Sequence, residues 1–180
     1  MVSYVVDLPV GHGKRFLSNA GGVGGKIISG WGVQGNTTYQ RGLPLNFGIT
    51  GGTQGENIGG QRPDKSGTGA LSGRPESRLK QWFDTSVFSK PAPFSFGNEA
   101  RVDSVLRQDG IRNYDFSLVK DTRFGPEDRL GLQFRAEFFN LFNRPQFAAP
   151  DRTVGDADFG HVTSTVNDPR LIQFALRFTF

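Results

Sequence analysis

The end of the chain constrains its fold most. From Ile172 onward every second side chain is apolar, giving Ile172, Phe174, Leu176, Phe178 and Phe180, while the intervening set Gln173, Ala175, Arg177 and Thr179 is mixed and carries a charge. Successive side chains of a strand point to opposite faces, so a period of two encodes a ribbon with one greasy side and one wet side. The same period recurs upstream. Val2, Tyr4, Val6 and Leu8 alternate with Ser3, Val5 and Asp7, and Ile27, Trp31, Val33, Thr37 and Tyr39 alternate with Gln34, Asn36, Thr38 and Gln40. Tyr114, Phe116 and Leu118 oppose Asn113, Asp115 and Ser117, and Leu130, Leu132, Phe134, Ala136, Phe138 and Phe142 oppose Gly131, Gln133, Arg135 and Glu137.

The spacing predicts five strands, near 1–8, 27–41, 112–124, 130–142 and 170–180, with long loops over 50–110 and 143–169. Phe134, Phe138, Leu141 and Phe142 also fit helical spacing, but the turn residues Gly125, Pro126, Glu127 and Asp128 just before them favour a hairpin. Asn19 to Gly25 reads as a glycine-rich turn leading into the second strand. Thr50 to Gly73 reads as a mobile polar loop. Arg74 to Phe83, with Pro75 near its start, suits one short helix.

Composition narrows the class. With 25 glycines and 10 prolines in 180 residues, long helices are excluded, and no run of ~18 apolar residues is present for a membrane-spanning helix. Seventeen phenylalanines make the chain too aromatic for simple disorder. The net charge of +4 is spread singly from Lys14 to Arg177, so no basic patch predicts nucleic-acid binding. The absence of cysteine rules out a disulfide framework and leaves the compartment open. Met1 to Pro9 has no basic n-region and meets Asp7 early, so the chain as written shows no export signal.

Sheets with one apolar face occur in soluble sandwiches as well as in membranes. Strand length favours the membrane. The fourth and fifth strands reach the ~9–11 residues that a tilted strand needs to cross hydrocarbon, whereas globular strands average ~5–6. Short turns on one side with long loops on the other is the outer-membrane barrel pattern. Facing Arg177 to lipid would cost up to ~2–4 kcal/mol at mid-depth. The same flip would forfeit roughly 1.5–3 kcal/mol for each phenylalanine turned into a wet lumen. The register with phenylalanines outward is therefore expected. Lys120 falls on the apolar face of the third strand and conflicts with it, unless its ammonium snorkels to the interface.

The run Leu132-Gln-Phe-Arg-Ala-Glu-Phe-Phe-Asn-Leu-Phe-Asn-Arg-Pro-Gln-Phe147 resembles the penultimate-strand signature of TonB-dependent outer-membrane transporters of the Oar-like kind. Asp7-Leu-Pro-Val-Gly11, Lys14-Arg-Phe16, Gly30-Trp31, Gln81-Trp-Phe-Asp84, Ile111 to Lys120 and Phe159-Gly160 agree with it in order. The chain departs where Gln108-Asp109 replace a more usual Gly-Pro and where Val119 replaces an aromatic residue. The resemblance implies a C-terminal piece of a larger barrel, whose relatives carry a signal peptide, a carboxypeptidase-regulatory-like domain and a plug. Five strands cannot close a bacterial barrel, which takes an even number from eight upward, so Met1 would continue an upstream strand. Phe174, Leu176, Phe178 and Phe180 would then form the C-terminal signal read by the barrel-assembly machinery.

On this reading Asp115, Arg135, Glu137 and Arg177 face the lumen, and Trp31, Tyr39 and Tyr114 sit in the aromatic girdle at the headgroups. The partners implied are outer-membrane lipid of a Gram-negative cell, the assembly machinery, the TonB system acting through a plug, and a substrate the sequence does not name. No cofactor, metal or catalytic residue is expected. His12 and His161 read as solvated loop histidines. Gly11-His-Gly-Lys14 and Gly21-Gly-Val-Gly-Gly-Lys26 both miss the phosphate-loop pattern, since neither has Ser or Thr after its lysine. Asp151, Asp156 and Asp158 lack the glycine-centred loop of a calcium site. Trp82, Phe83, Phe88, Phe94 and Phe96 crowd the long loop and are expected to pack on one another. The competing expectation is a soluble secreted all-β binding module, for example for carbohydrate; an enzyme using His12 or His161 is weaker still.

Overall fold

A computed structural model describes residues 1–51 and 60–180. Part of the predicted loop Thr50 to Gly73 lies outside the described residues. Among the described residues nine strands form: β1 Val2–Asp7, β2 Trp31–Gln40, β3 Gly48–Ile49, β4 Asp64–Lys65, β5 Phe88–Ser89, β6 Ile111–Phe124, β7 Leu130–Phe139, β8 Thr153–Val154 and β9 Leu171–Thr179. One helix, α1, covers Gly22–Ile28. Two units are distinguished, the first comprising Met1–Tyr39, Arg112–Arg144 and Asp168–Phe180, the second Gln40–Ile111 and Pro145–Asn167.

The first unit is a five-stranded sheet in the order β1-β2-β6-β7-β9. Its register sorts the residues by chemistry. Across β7 and β9, Leu132 meets Phe178, Phe134 meets Leu176, Ala136 meets Phe174 and Phe138 meets Ile172. The alternate pairs are Gln133 with Arg177, Arg135 with Ala175 and Glu137 with Gln173. In β6, Phe116, Leu118 and Phe124 pair with Phe138, Ala136 and Leu130, while Ser117 pairs with Glu137 and Asp121 with Gln133. A one-residue slip would mix these sets, so the alternation itself fixes the pairing. Among the described residues the sheet has β1 and β9 as open edges and does not close into a barrel.

Several boundaries differ from the sequence expectation. The second strand begins at Trp31, not at 27, because Ile27 belongs to α1. The turn predicted at Asn19 to Gly25 therefore runs into a helix, and β1 and β2 are joined by a segment far longer than the Gly125 turn. The fourth strand is a strand and not a helix, yet it stops at Phe139. Asn140 takes φ 50°, and its N–H donates to Asp115 Oδ1 at 2.9 Å, turning the chain out of the ladder. In place of the helix expected over 74–83 there is a single 3-10 turn, Pro75–Ser77.

The second unit has a core of its own. Phe83, Leu45, Phe47, Trp82, Phe88, Leu106, Phe147 and Val154 are buried together, with Phe159 packed against them. Phe83 is fully buried and stands edge-on to Phe47 at 5.2 Å and to Phe159 at 5.3 Å. Each such ring contributes about 1.5–3 kcal/mol by leaving water. Trp82 Nε1 donates to the Arg107 carbonyl at 2.7 Å, which satisfies the indole's one polar atom inside the core. Two short pairings, β3 with β8 in parallel and β4 with β5 antiparallel, complete it. The described part of the predicted loop over 50–110 is thus largely folded on itself. Phe94 and Phe96, by contrast, stay out of the cluster at 87% and 75% exposure.

Candidate functional site

The functional surface of the first unit is the sheet itself, because its two faces offer different chemistry. The apolar face carries Tyr4, Val33, Phe116, Leu118, Phe134, Phe138, Phe174, Leu176 and Phe178, and none of these enters the buried cluster. Phe174 and Leu176 are 68% and 69% exposed. The rings pack on one another along the surface: Phe134 stacks with Phe174 at 6.2 Å, Phe116 lies 6.2 Å from Phe138 and Phe124 6.0 Å from Phe178. A continuous apolar face of this kind is far more than a water-soluble surface usually displays.

Aromatic residues with a polar edge mark the two ends of that face. Tyr39 and Tyr114 meet edge-on at 5.6 Å, and Phe142 meets Tyr114 at 5.0 Å. Trp31 lies at the other end of β2. Eight residue steps at ~3.3 Å place Trp31 and Tyr39 about 27 Å apart along the strand, or roughly 20 Å along the normal at a ~40° tilt. That approaches the ~25 Å apolar band of outer-membrane barrels. Trp31 and the Tyr39–Tyr114 pair, expected in the girdle, thus lie at opposite ends of the apolar face.

The opposite face gathers the four residues expected in the lumen. Arg135 Nη2 donates to Gln34 Oε1 at 3.1 Å and lies 3.6 Å from Glu137 Oε1. Arg177 sits opposite Gln133, which donates to Asp121 Oδ1 at 2.8 Å. Asp115 has a more local task. It accepts from Asn113 Nδ2 at 2.9 Å as well as from the Asn140 N–H, and so anchors the turn that ends β7.

Two features of the site were not anticipated. Lys120, expected to reach for water, instead donates to the carbonyls of Lys26 at 2.8 Å and Ser29 at 2.6 Å, and its ammonium lies 5.1 Å from the centre of the Trp31 ring. The bonds come from the end of α1, which alternation could not disclose. The second is the Asn140–Asn143 turn inside the signature run. Asn140 Nδ2 donates to the carbonyls of Arg144 and Asp168, its Oδ1 accepts from the Arg144 N–H, and Asn143 Oδ1 accepts from the Arg170 N–H. Both asparagines have φ 50°, a conformation asparagine tolerates better than most residues. The spaced asparagines in Phe-Asn-Leu-Phe-Asn were the available signal.

The remaining sequence candidates have structural partners. His161 Nδ1 stands 3.4 Å from Asp158, Asp156 accepts from Thr50 Oγ1, and Asp151 Oδ1 accepts from the Thr153 N–H. Among the described residues no three His, Cys, Asp or Glu side chains gather as a metal site. In the second unit Lys65 bonds to Asp103 and lies 4.0 Å from Glu99. Burial pushes the Glu99 carboxyl above its ordinary range, and the Lys65 charge only partly opposes this. Burial also acts on Asp103, but Lys65 and the N–H groups of Leu106 and Val105 outweigh it and hold that carboxyl low.

Among the described residues no helix is long and apolar enough to cross a membrane. Comparison with curated proteins gives no match, and neither does comparison with solved structures. The model of the outer membrane beta barrel domain matches residues 1–173, nearly the whole chain. With its amphipathic antiparallel sheet, the chain belongs to the outer membrane beta-barrel domain family and is localised to the outer membrane.

Proposed function

We propose that this chain is the C-terminal wall and outer-loop portion of a TonB-dependent, Oar-like transporter that takes up substrate across the outer membrane without catalysis. The observation that carries the membrane part is the placement of the apolar groups. The buried aromatic cluster among the described residues lies in the second unit, while the rings on the apolar face of the sheet stay out of it, with Phe174, Leu176 and Phe178 exposed. A soluble binding module would place those phenylalanines in its core, where each contributes about 1.5–3 kcal/mol. The signature run Leu132 to Phe147 and the ending Gln173 to Phe180 support the transporter part. In that reading Asp115, Arg135, Glu137 and Arg177 line the lumen, and the folded second unit belongs to the outer loops that meet substrate.

Energy would reach the transporter through a plug contacted by TonB. The test is site-specific crosslinking in intact cells between TonB and the natural full-length protein. A crosslink to TonB, together with uptake that stops when TonB is inactivated, is expected. No crosslink from a protein correctly placed in the outer membrane would remove TonB dependence and leave a barrel wall of another kind.

A further inference from the structure

The segment between β1 and β2 has no role in the account so far. It holds α1 against the apolar face of the sheet at the end where β6 and β7 are joined by the Gly125 turn. Four hydrogen bonds fix its position. Lys120 and Trp31, both on the apolar face, reach the helix end: Lys120 Nζ donates to the Lys26 and Ser29 carbonyls, and Trp31 Nε1 donates to the Ile27 carbonyl at 2.9 Å. Lys26 Nζ donates back to the Arg123 carbonyl at 3.2 Å. The last turn of α1 is thus tied to β6 and to β2.

Gly30 makes the close approach to β6 possible, and Gly25 lets the helix fold against the chain that precedes it. A β-carbon on Gly25 would lie 2.4 Å from the Ala20 carbonyl oxygen, and one on Gly30 would lie 2.0 Å from that of Asp121. Gly30 also has φ 79°, which disfavours any side chain there. Gly25 is the buried position of the helix. At about 100° per residue, Val23 and Ile27 both fall roughly 160° from Gly25, on the opposite side, one turn apart. They are 79% and 60% exposed. The helix therefore turns glycine toward the protein and two branched aliphatic side chains away from it.

We propose that α1 is an interfacial lipid-binding element, with Val23 and Ile27 seated among the upper acyl chains of the leaflet at the Gly125-turn end of the barrel. The inference rests on the reading that the apolar face of the sheet meets the bilayer. Continuity with that face selects lipid as the occupant: the helix is bonded to Trp31 and Lys120, which stand at its headgroup level. It also accounts for a lysine on a lipid-facing strand. Lys120 is retained because the carbonyls of α1 satisfy its ammonium, and those carbonyls would otherwise face the bilayer edge without donors.

The test places a bimane fluorophore singly at Val23, Ile27, Phe174 and Glu76, through cysteine variants of the natural full-length protein. Each is reconstituted into phosphatidylcholine–phosphatidylglycerol vesicles whose acyl chains are brominated either near the headgroup or near the methyl end, and only the folded, heat-modifiable fraction is read. Labels at 23 and 27 are expected to lose most of their fluorescence to the shallow bromines and little to the deep ones. The label at 174 should respond to the deep bromines, and that at 76 to neither. Unquenched labels at 23 and 27 beside a quenched label at 174 would overturn the α1 proposal alone. An unquenched label at 174 would overturn the bilayer reading on which the proposal rests.

Discussion

Replacing Phe174 by arginine separates a lipid-facing strand from a water-facing one by the sign of its effect. Phe174 lies near the middle of β9, faces Ala136 across the ladder and stacks on Phe134. If its face meets hydrocarbon, Phe174→Arg brings a charge to mid-depth at ~2–4 kcal/mol. It also forfeits the ring's transfer out of water, about 1.5–3 kcal/mol. The two costs together approach the whole stability of a typical domain, ~5–15 kcal/mol. The neighbouring change Gln173→Arg puts the same side chain on the other face, opposite Glu137, where an opposite-charge pair contributes ~0.2–1 kcal/mol. Equilibrium unfolding of the natural protein in lipid vesicles, followed by tryptophan fluorescence, measures both. A loss above about 3 kcal/mol for Phe174→Arg with less than about 1 kcal/mol for Gln173→Arg is expected. A water-exposed Phe174 would instead tolerate arginine within about 0.5 kcal/mol. That result, or equal losses at both sites, would refute the assignment of faces.

Asn140→Ala removes the side chain that closes the turn after β7, and with it three hydrogen bonds, to the Arg144 and Asp168 carbonyls and the Arg144 N–H; it should destabilise by about 1–3 kcal/mol, read from the denaturation midpoint. Glu99 and Asp103 should respond oppositely to pH. Glu99 is held high by burial, so its contribution favours the fold in acid and is lost as pH rises through its folded value; Glu99→Gln should match the parent in acid and equal or exceed it at neutral pH. Asp103 is held low, so its contribution is present at neutral pH and lost as pH falls through its folded value; Asp103→Asn should be the weaker protein at neutral pH and converge on the parent in acid, as thermal melts across pH would show. Deleting Phe180, at the exposed chain end, should lower the amount of heat-modifiable protein in the outer membrane while synthesis is unchanged, as measured by quantitative blotting of membrane fractions.

The strands were legible because amphipathicity writes itself with period two. Trp31 to Gln40, Ile111 to Phe124 and Leu171 to Thr179 are found within a few residues of where alternation places them, and Asp115, Arg135, Glu137 and Arg177 fall on one face as their spacing requires. The misreadings have local causes. Ile27 continued the apolar parity of Trp31 and Val33, which hid the helical pair it forms with Val23. The glycines at 21, 22, 24 and 25 argued for a turn, whereas the helix is held by tertiary bonds from Lys120 and Trp31 that no local pattern encodes. Leu141 and Phe142 fitted a longer fourth strand, but Asn140 turns the chain before them and Asn143 turns it again just after. In the second unit the phenylalanines predicted self-packing without predicting which would be left out. Phe83 and Phe88 are enclosed by partners distant in sequence, and Phe94 and Phe96, between Pro93 and Gly97, are not.

In the barrel reading, the odd and even positions of these strands meet different solvents. Spin labels at Phe138 and Phe174, and at Arg135 and Arg177, in the natural protein within lipid vesicles test it most directly, by collision with oxygen, which concentrates in lipid, and with a water-soluble nickel chelate. Labels at 138 and 174 are predicted to collide with oxygen and not with the chelate, and labels at 135 and 177 to do the reverse. Chelate reaching 138 and 174 while oxygen does not would contradict the account.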